Sequence, residues 1–406
     1  MHHRVALFTD TLGDVNGVAR FITDLARRSL DSGRDLRVIT STRLAAPNLP
    51  NIVNLPPRWA RPMPRYPNLE LVAPPLRRAR AALRQLQPQA VHVSTPGPVG
   101  LAGRMAARAM GLPLLGTYHT DFPAYVHHLF HANAALTDIT TDAMRWFYAP
   151  FGAVLARSRA SQRLISAIGV GGSRSVALQP GIEVDRFRPW HSDPAVWGRL
   201  GIPDAPGTVR VLYCGRVSLE KNLAFLTQLW PRVRAALQHA TTPGHAGGAQ
   251  LVVVGDGPYL SHMRAALAPH DAHFLGFRHG RELSTLYASS HIFVFPSTTD
   301  TLGQAVMEAL ASGLPAVVGD LGGPCEVVAH GRTGLVLRAP DSPHDRAAQD
   351  RWAAALLGLI TDRPRREAMS RAAADAMTPM TIQASVDHWW RLHDERIGAR
   401  HSQAQR

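Results

Sequence analysis

Two carboxylates, Asp300 and Glu308, lie eight positions apart in the segment PSTTDTLGQAVMEALASGLP, residues 296–315. Asp300 precedes a predicted helix that contains Glu308, and eight helical residues rise about 12 Å. A general acid and a nucleophile would lie only about 5–9.5 Å apart, so this spacing favours carboxylates that hold opposite ends of an extended ligand. Free N–H groups near Leu302 and Gly303 open the helix between them, and helix N-termini bind phosphate. The pattern indicates a nucleotide sugar, with a helix cap for Asp300 and a buried structural role for Glu308 as alternatives.

Two cations, Arg216 and Lys221, lie in the segment CGRVSLEKN, residues 214–222. Lys221 is the single lysine of a chain that has 43 arginines. A compact ammonium group suits a narrow pocket around a phosphate oxygen better than a rigid guanidinium fork does. Negative charge develops on a departing nucleoside diphosphate, and fixed cations placed there stabilise the transition state. We therefore expect both cations to bind the diphosphate. The alternative for Lys221 is that one lysine remains by chance in a sequence whose codon bias favours arginine.

A second glycine-led helix start, GGPCE, occupies residues 322–326. Its backbone is expected to approach the same phosphates. Glu326 would brace Arg216 or a neighbouring loop.

The composition bounds the class of protein. With 406 residues, 18% charged and 45% apolar, the chain is long enough for two globular domains. Cys214 and Cys325 form neither a disulfide framework nor a zinc pattern, which fits a reducing cytosol. No apolar run approaches the roughly 20 residues that span a bilayer, and we expect no signal peptide.

The positive charge is unevenly distributed. Residues 1–180 contain 21 arginines and 9 acidic residues, whereas residues 181–406 contain 23 basic and 21 acidic residues. The arginines are densest in residues 58–65, beside Trp59, and in the predicted basic helix 76–84. We expect the N-terminal half to face an anionic membrane surface. Nucleic acid and a solvated arginine-rich face are the alternatives.

Strands and helices alternate along the chain, which predicts α/β architecture with parallel sheets. We expect an N-terminal domain over residues 1–182, a C-terminal domain over residues 183–378, and a last helix 379–395 within the segment 379–406. Ligands bind such sheets beyond the carboxyl ends of the strands. We expect no regular structure in three further segments: a proline-rich irregular stretch 44–75, a surface insertion 241–248 and a frayed tail 401–406.

Taken together, the motifs resemble the GT-B glycosyltransferases of family 4, also called glycosyl transferases group 1. The resemblance covers nearly the whole chain and looks closest to bacterial mannosyltransferases and to sulfoquinovosyl or digalactosyl lipid synthases. Five segments carry it: residues 8–20, 117–123, 180–187, 254–258 and 300–315. It implies two facing Rossmann-like doubly wound domains and a C-terminal crossover helix that returns to the N-domain.

The resemblance also implies roles for individual residues. In the N-domain, Gly17 would let its loop approach the donor phosphates, and the active-site His119 would lie near the C6 hydroxyl of the donor sugar. The C-domain roles would be the following: Arg216 and Lys221 on the diphosphate, Asp300 on the sugar hydroxyls, Leu302 and Gly303 at the phosphates, Glu308 on the ribose, and the backbone around Gly276 at the base.

The implied reaction is retaining transfer of a hexose, best guessed as mannose from GDP-mannose, to a lipid or glycan acceptor at the cytoplasmic face of the membrane. The acceptor would attack from the front face, with a phosphate oxygen as base. The alternatives are a UDP-sugar-dependent glycolipid synthase, a sugar-nucleotide epimerase and a non-catalytic anion binder; no nucleic-acid motif is present. Two positions depart from the family: Asp300 stands where the first acid is usually Glu, and Asn16-Gly17 where many relatives have two glycines.

No metal or other cofactor is expected. The chain has no Asp-x-Asp pair, so nothing supports a metal-diphosphate clamp. His127 and His131 have helical i, i+4 spacing that suits a metal, but no carboxylate or cysteine completes a local set. Histidines of the surface or of the cleft are the favoured interpretation.

Overall fold

A computed structural model describes residues 3–13, 16–63, 66–129, 133–239 and 248–404. The chain forms two compact units. The N-unit comprises Met1–Gly181 with Ile382–Arg406, and the C-unit comprises Ile182–Thr381. These limits lie within three residues of the domain boundaries expected from the sequence.

The N-unit is built on a parallel sheet of seven strands in the order β3-β2-β1-β6-β7-β8-β9. Numbered in chain order, its strands are β1 Val5–Phe8, β2 Leu36–Thr40, β3 Ile52–Asn54, β4 Trp59–Met63, β5 Tyr66–Ala73, β6 Ala90–Val93, β7 Leu114–Tyr118, β8 Ala153–Ala156 and β9 Ser175–Ala177. Its helices are α1 Gly17–Asp31, α2 Leu76–Leu86, α3 Pro98–Ala109, α4 Phe122–Leu129, α5 Ala134–Tyr148, α6 Arg159–Ala167 and α15 Ile382–Ala404.

The C-unit has a parallel sheet of six strands in the order β12-β11-β10-β13-β14-β15. Its strands are β10 Val209–Cys214, β11 Ala249–Val254, β12 Ala272–Gly276, β13 Ile292–Phe295, β14 Ala316–Gly319 and β15 Gly334–Leu337. Its helices are α7 Val196–Arg199, α8 Leu223–His239, α9 Leu260–Leu267, α10 Gly280–Ala288, α11 Gln304–Ala311, α12 Pro324–Val327, α13 Arg346–Thr361 and α14 Arg363–Met377.

The central strands of both sheets are buried on both faces. β1, β8, β11 and β13 are buried along their whole length and consist mostly of Val, Ala, Leu, Ile and Phe. Continuous apolar runs of this kind suit parallel strands that helices cover on both sides. The two doubly wound sheets confirm the α/β fold class predicted from the sequence.

The proline-rich stretch 44–75 is not irregular, contrary to the prediction. β3 extends the sheet beside β2, and β4 pairs with β5 as an antiparallel hairpin. Glu70 of the hairpin accepts hydrogen bonds from the Thr42 hydroxyl at 2.5 Å and from the Arg43 amide at 2.9 Å. The prolines concealed these strands because proline in a sequence usually indicates a loop. Proline is nevertheless tolerated on edge strands.

Lys221 lies on a 3-10 turn, Leu219–Lys221, just before α8, which starts at Leu223. The boundaries of the last helix differ from the prediction. The last helix starts three residues later than expected and continues through the proposed tail to Ala404. Residues 241–247 of the predicted insertion, His131 and residues 405–406 lie outside the described residues. Across the described part of the chain, no helix is long and apolar enough to cross a membrane.

Helix α15 is held in the N-unit by a buried aromatic and histidine cluster. The His393 ring stacks on Trp389 at 3.6 Å, and its Nε2 lies 3.0 Å from Nδ1 of His92 on β6. The other ring nitrogen of His92 lies 3.0 Å from the Thr117 hydroxyl on β7. Burial lowers the pKa of His92 well below its usual range and that of His393 to about 4. Both rings are therefore neutral in the native protein at neutral pH.

This cluster predicts that the N-unit loses stability on mild acidification. Unfolded histidine takes up a proton near pH 6.5, whereas native His393 stays neutral down to about pH 4. The neutral His393 ring therefore contributes roughly 3 kcal/mol to the free energy of unfolding above pH 6.5, and this contribution is lost as the pH falls towards 4. Denaturant unfolding at pH 7.5, 6.0 and 5.0 should show a shallower pH dependence for His393→Gln than for the wild type. His127→Gln serves as the control, and equal slopes for all three proteins would contradict the prediction.

Candidate functional site

The strongest candidate site lies at the carboxyl ends of the strands in the C-unit. In this sheet the strand order reverses between β10 and β13, which are neighbours. Open α/β sheets bind ligands at such a switch point. Lys221 follows β10 and Asp300 follows β13, so both stand at this point.

Lys221 and Asp300 form an ion pair, which the separate roles predicted for them did not anticipate. The Lys221 ammonium donates to Oδ1 of Asp300 at 2.7 Å, and the Ser297 hydroxyl donates to Oδ2. The two charged side chains keep 20% and 21% of their surface exposed. Partial exposure leaves the ammonium accessible to a phosphate and the carboxylate accessible to sugar hydroxyls.

Further hydrogen bonds join the same two loops. The Thr299 hydroxyl donates to the Glu220 carbonyl at 3.0 Å, and the Asn222 amide donates to the Pro296 carbonyl at 3.4 Å. Asn222 adopts the left-handed conformation, with φ 56°, where the 3-10 turn ends and α8 begins. The loops after β10 and β13 therefore form one bonded structure that fixes both charges.

Arg216 lies in the same loop as Lys221. Its backbone carbonyl accepts a hydrogen bond from the buried Tyr213 hydroxyl at 2.8 Å. Burial and the nearby charge of Asp300 raise the pKa of Tyr213 well above its usual range, so the phenol remains a donor. The guanidinium lies 3.9 Å from the carboxylate of Glu220. The structure thus brings Arg216, Lys221 and Asp300 to one sheet edge.

Fewer residues between Asp300 and Glu308 are helical than predicted. Helix α11 begins at Gln304, so Leu302 lies before it and Gly303 is its N-cap, with φ 79°. The rise of about 12 Å assumed eight helical residues, whereas only those from Gln304 onward are helical. Glu308 is buried on α11 and accepts a hydrogen bond from the Gln304 amide at 3.4 Å. The predicted anion site at the N–H groups of Leu302 and Gly303 therefore lies at the start of α11.

The glycine pair of the GGPCE segment packs against the Asp300 loop. The Gly323 amide donates to the Asp300 carbonyl at 2.7 Å, so it is not available to a phosphate as predicted. A Cβ on Gly323 would lie 2.3 Å from the Thr301 carbonyl oxygen, and one on Gly322 would lie 2.8 Å from that of Asp300. These glycines therefore allow a close backbone approach that supports Asp300.

Gly276, predicted to lie at the base, ends β12. Its φ of 68° is left-handed, and its carbonyl accepts a hydrogen bond from the Gly255 amide at 2.8 Å. Gly255 follows β11, and a Cβ there would meet the Gly215 carbonyl oxygen at 1.9 Å. The loops after β10, β11 and β12 are thus packed backbone against backbone at the same edge.

The N-unit has its own polar cluster at the carboxyl ends of β1, β6 and β7. Asp10 is partly buried and accepts hydrogen bonds from the Thr95 hydroxyl at 2.7 Å and from the amides of Val99 and Gly100 at the start of α3. Burial raises the pKa of Asp10, and these hydrogen bonds act in the opposite direction. Asp10 therefore fixes the ends of two strands around the switch point of this sheet.

His119 and Gly17 belong to this N-unit cluster. His119 follows β7, and its Nε2 lies 3.0 Å from the Ser94 hydroxyl. Burial and the charge of Arg157 lower the pKa of His119 to about 3, so its imidazole is neutral. Gly17 begins α1, but the Asn16 side chain already accepts the Val18 and Ala19 amides at 2.9 and 2.8 Å. Because Asn16 already binds these two amides, fewer N–H groups at the start of α1 remain for the predicted phosphate contact.

Sequence reasoning missed several residues of these sites, namely Ser297, Tyr213, Asp10, Ser94 and Arg157. Ser297 and Tyr213 lie within five residues of predicted site residues, but a hydroxyl side chain at that distance forms no recognisable sequence pattern. No group of three or more potential metal ligands occurs within the described ranges.

Comparison with known proteins places the chain in a family. Residues 15–186 match glycosyltransferase family 4, and residues 208–362 match glycosyl transferases group 1. A GDP-mannose-dependent alpha-mannosyltransferase of Mycobacterium tuberculosis is 31% identical over 84% of this chain and 85% of its own length. The chain belongs to glycosyltransferase family 4. The resemblance stated from the motifs is thereby confirmed.

Other relatives agree on the class of enzyme. A GDP-mannose-dependent alpha-mannosyltransferase of Corynebacterium glutamicum is 26% identical over 94% of this chain and 86% of its own length. A sulfoquinovosyl transferase of Arabidopsis thaliana is 27% identical over 77% of this chain and 58% of its own length. The chain is therefore an enzyme that transfers a sugar from a nucleotide sugar.

Solved structures support the fold. Sucrose-phosphate synthase from Thermosynechococcus elongatus has a TM-score of 0.74 at 18% identity and covers 98% of this chain and 100% of its own. The Anabaena protein HepE in complex with UDP and glucose has a TM-score of 0.70 at 16% identity, with 97% and 100% coverage. The GT-B fold of this glycosyltransferase is thus confirmed.

The close packing at Gly323 gives a prediction for this glycosyltransferase. Gly323→Ala should lower the free energy of unfolding by about 1–3 kcal/mol, because the added Cβ would clash with the Thr301 carbonyl. Gly198→Ala is the matched control, since nothing lies within 4 Å of a Cβ there. Denaturant unfolding measures both variants; a Gly323→Ala protein as stable as Gly198→Ala would show that the loops are not in contact.

Proposed function

We propose that the protein transfers mannose from GDP-mannose to a lipid or glycan acceptor with retention of the anomeric configuration. The observation that carries the proposal is the Lys221–Asp300 pair at the switch point of the C-unit. It offers an ammonium group for a diphosphate and a carboxylate for sugar hydroxyls within one hydrogen bond of each other. The mannosyltransferases among the relatives support mannose as the sugar.

Each charged group has a role in this proposal. Arg216 and Lys221 bind the diphosphate and stabilise the charge that develops as the nucleoside diphosphate departs. Asp300 orients the sugar through its hydroxyls, and Glu308 binds the ribose. His119 of the N-unit, held neutral by burial, can donate to or accept from a substrate hydroxyl. A phosphate oxygen of the donor accepts the acceptor's proton, so no protein base and no metal is required.

The donor is tested by calorimetry in the presence of EDTA. GDP-mannose should bind, whereas UDP-glucose, UDP-galactose and UDP-N-acetylglucosamine should bind at least tenfold more weakly. The relative from Arabidopsis supports a UDP-sugar-dependent glycolipid synthase as the second candidate. Selective binding of a UDP-sugar would favour that candidate, and a requirement for added metal would contradict the metal-free mechanism.

The roles of the charged groups are tested by substitution. Lys221→Ala should weaken GDP binding at least about tenfold, because it removes a charge-assisted contact. Arg232→Ala removes one positive charge from an exposed pair in the same unit and should leave GDP affinity within twofold. Glu308→Ala should weaken GDP-mannose binding because it removes the proposed contact with the ribose. Intact binding and transfer in both Lys221→Ala and Glu308→Ala would refute the site.

We further propose that the N-unit docks on an anionic membrane on the cytoplasmic side. The N-unit contains 25 arginines and 12 acidic residues, whereas the C-unit contains 19 basic and 18 acidic residues. Arg58, Arg77 and Arg78 line a groove of about 450 Å³ together with three prolines. Trp59 and Leu76 beside it are 46% and 51% exposed. Exposed arginines next to exposed apolar side chains suit a lipid interface.

Vesicle sedimentation tests this docking. The double substitution Arg77→Glu, Arg78→Glu should reduce binding to vesicles of phosphatidylglycerol and phosphatidylcholine about tenfold or more, since each cation near the surface contributes about 1 kcal/mol. Arg346→Glu, Arg351→Glu makes the same change of charge on α13 of the C-unit and should have little effect. Equal losses in the two double variants would mean that only net charge matters.

A further inference from the structure

Arg157 is a buried cation, and two of its guanidinium nitrogens lack a hydrogen bond to any described residue. It follows β8 directly and has only 6% of its surface exposed. Its guanidinium stacks on the ring of Phe21 at 4.4 Å. Nε and Nη2 are shielded from solvent, and neither has a hydrogen-bond partner within the described part of the chain.

Such an arrangement is costly for a fold. Buried polar groups are nearly always hydrogen-bonded, and leaving a charged donor unsatisfied costs free energy. Burial lowers the pKa of Arg157 to about 10, with the charge of Asp24 on α1 acting in the opposite direction. The guanidinium therefore keeps its charge at neutral pH. Stacking on Phe21 alone does not account for a charge in this place.

The unbonded atoms have a specific geometry. Nε and Nη2 form one edge of the guanidinium, and two parallel N–H groups on such an edge match the two oxygens of a carboxylate or phosphate. Ammonium groups lack this fork. The edge that Arg157 leaves unbonded is thus one that recognises oxyanions.

The position of Arg157 is that of a ligand-binding residue. It stands at the carboxyl end of β8, beside β7, whose end carries His119. The Phe21 ring contacts both groups, since its centroid lies 5.9 Å from that of His119. Parallel sheets bind ligands at this edge. Arg157, His119 and the Ser94 hydroxyl therefore belong to one cluster in the N-unit.

We propose that Arg157 binds an oxyanion, a phosphate or carboxylate group, carried by the acceptor. The assignment to the acceptor rests on the proposed function, in which Arg216 and Lys221 of the C-unit bind the donor diphosphate. An acidic acceptor such as a phosphoglycolipid or a uronic-acid glycan fits this chemistry. Bound to Nε and Nη2, the oxyanion would complete the hydrogen bonds that the fold leaves open.

Inorganic phosphate is the probe, titrated into the full-length protein and followed by ³¹P NMR with and without saturating GDP. Wild-type protein should bind phosphate in the presence of GDP, and Arg157→Gln should weaken this binding about tenfold or more. Arg157→Lys, which keeps the charge but not the fork, should be intermediate. Arg159→Gln removes one exposed positive charge two residues away and should change phosphate affinity less than twofold.

Thermal unfolding provides a second measurement that does not depend on transfer activity. Phosphate should raise the Tm of the wild type but not that of Arg157→Met. Without phosphate, Arg157→Met should be at least as stable as the wild type, because an apolar side chain replaces an unsatisfied cation. A structural role, for example pairing with Asp24, predicts a lower Tm instead.

Three outcomes would overturn the proposal. The first is equal phosphate affinity in the wild type and Arg157→Gln, and the second is a lowered Tm of Arg157→Met with no effect of phosphate. The third is a loss of GDP affinity in Arg157→Gln as large as the loss of phosphate affinity, which would assign the guanidinium to the donor. If GDP binds to none of the proteins, the proposed donor fails, while the comparison of phosphate binding still decides the role of Arg157.

Discussion

The C-unit site depends on the ion pair between Lys221 and Asp300. The two residues follow strands that are adjacent in the sheet but 79 positions apart in the sequence. Their contact joins the loops after β10 and β13, and hydrogen bonds from the Thr299 hydroxyl and the Asn222 side chain link the same two loops. Because the pair stays partly exposed, it costs less desolvation than a buried pair would. A ligand with negative phosphates and neutral hydroxyls can bind to both partners at once.

Close backbone packing makes this arrangement possible. Gly255 and Gly323 both stand where a Cβ would collide with a carbonyl oxygen of another loop. The strand ends therefore approach each other more closely than loops with side chains could. As a result, the charged side chains project from a rigid edge, and their positions are set by backbone contacts rather than by flexible side-chain packing.

Much of this was predictable from local pattern. The alternation of apolar strands and helices predicted both sheets, and Arg216, Lys221 and Asp300 were selected from their residue types and spacing. The Lys221–Asp300 contact was not predictable, because sequence spacing contains no information on which strands are neighbours. The β4–β5 hairpin was missed because prolines interrupt its periodicity. Gly323 was recognised as a helix start, whereas its function is steric and depends on a loop more than twenty residues away.

The charged side chains of the two units lie in different environments. In the C-unit, Lys221 and Asp300 are paired and partly exposed, which suits a site that exchanges a charged ligand with water. In the N-unit, His119 is kept neutral by burial, and two guanidinium nitrogens of Arg157 have no hydrogen-bond partner among the described residues. A fold selected only for stability would replace such an arginine with an apolar residue. Its retention beside His119 is therefore better explained by a ligand than by the fold.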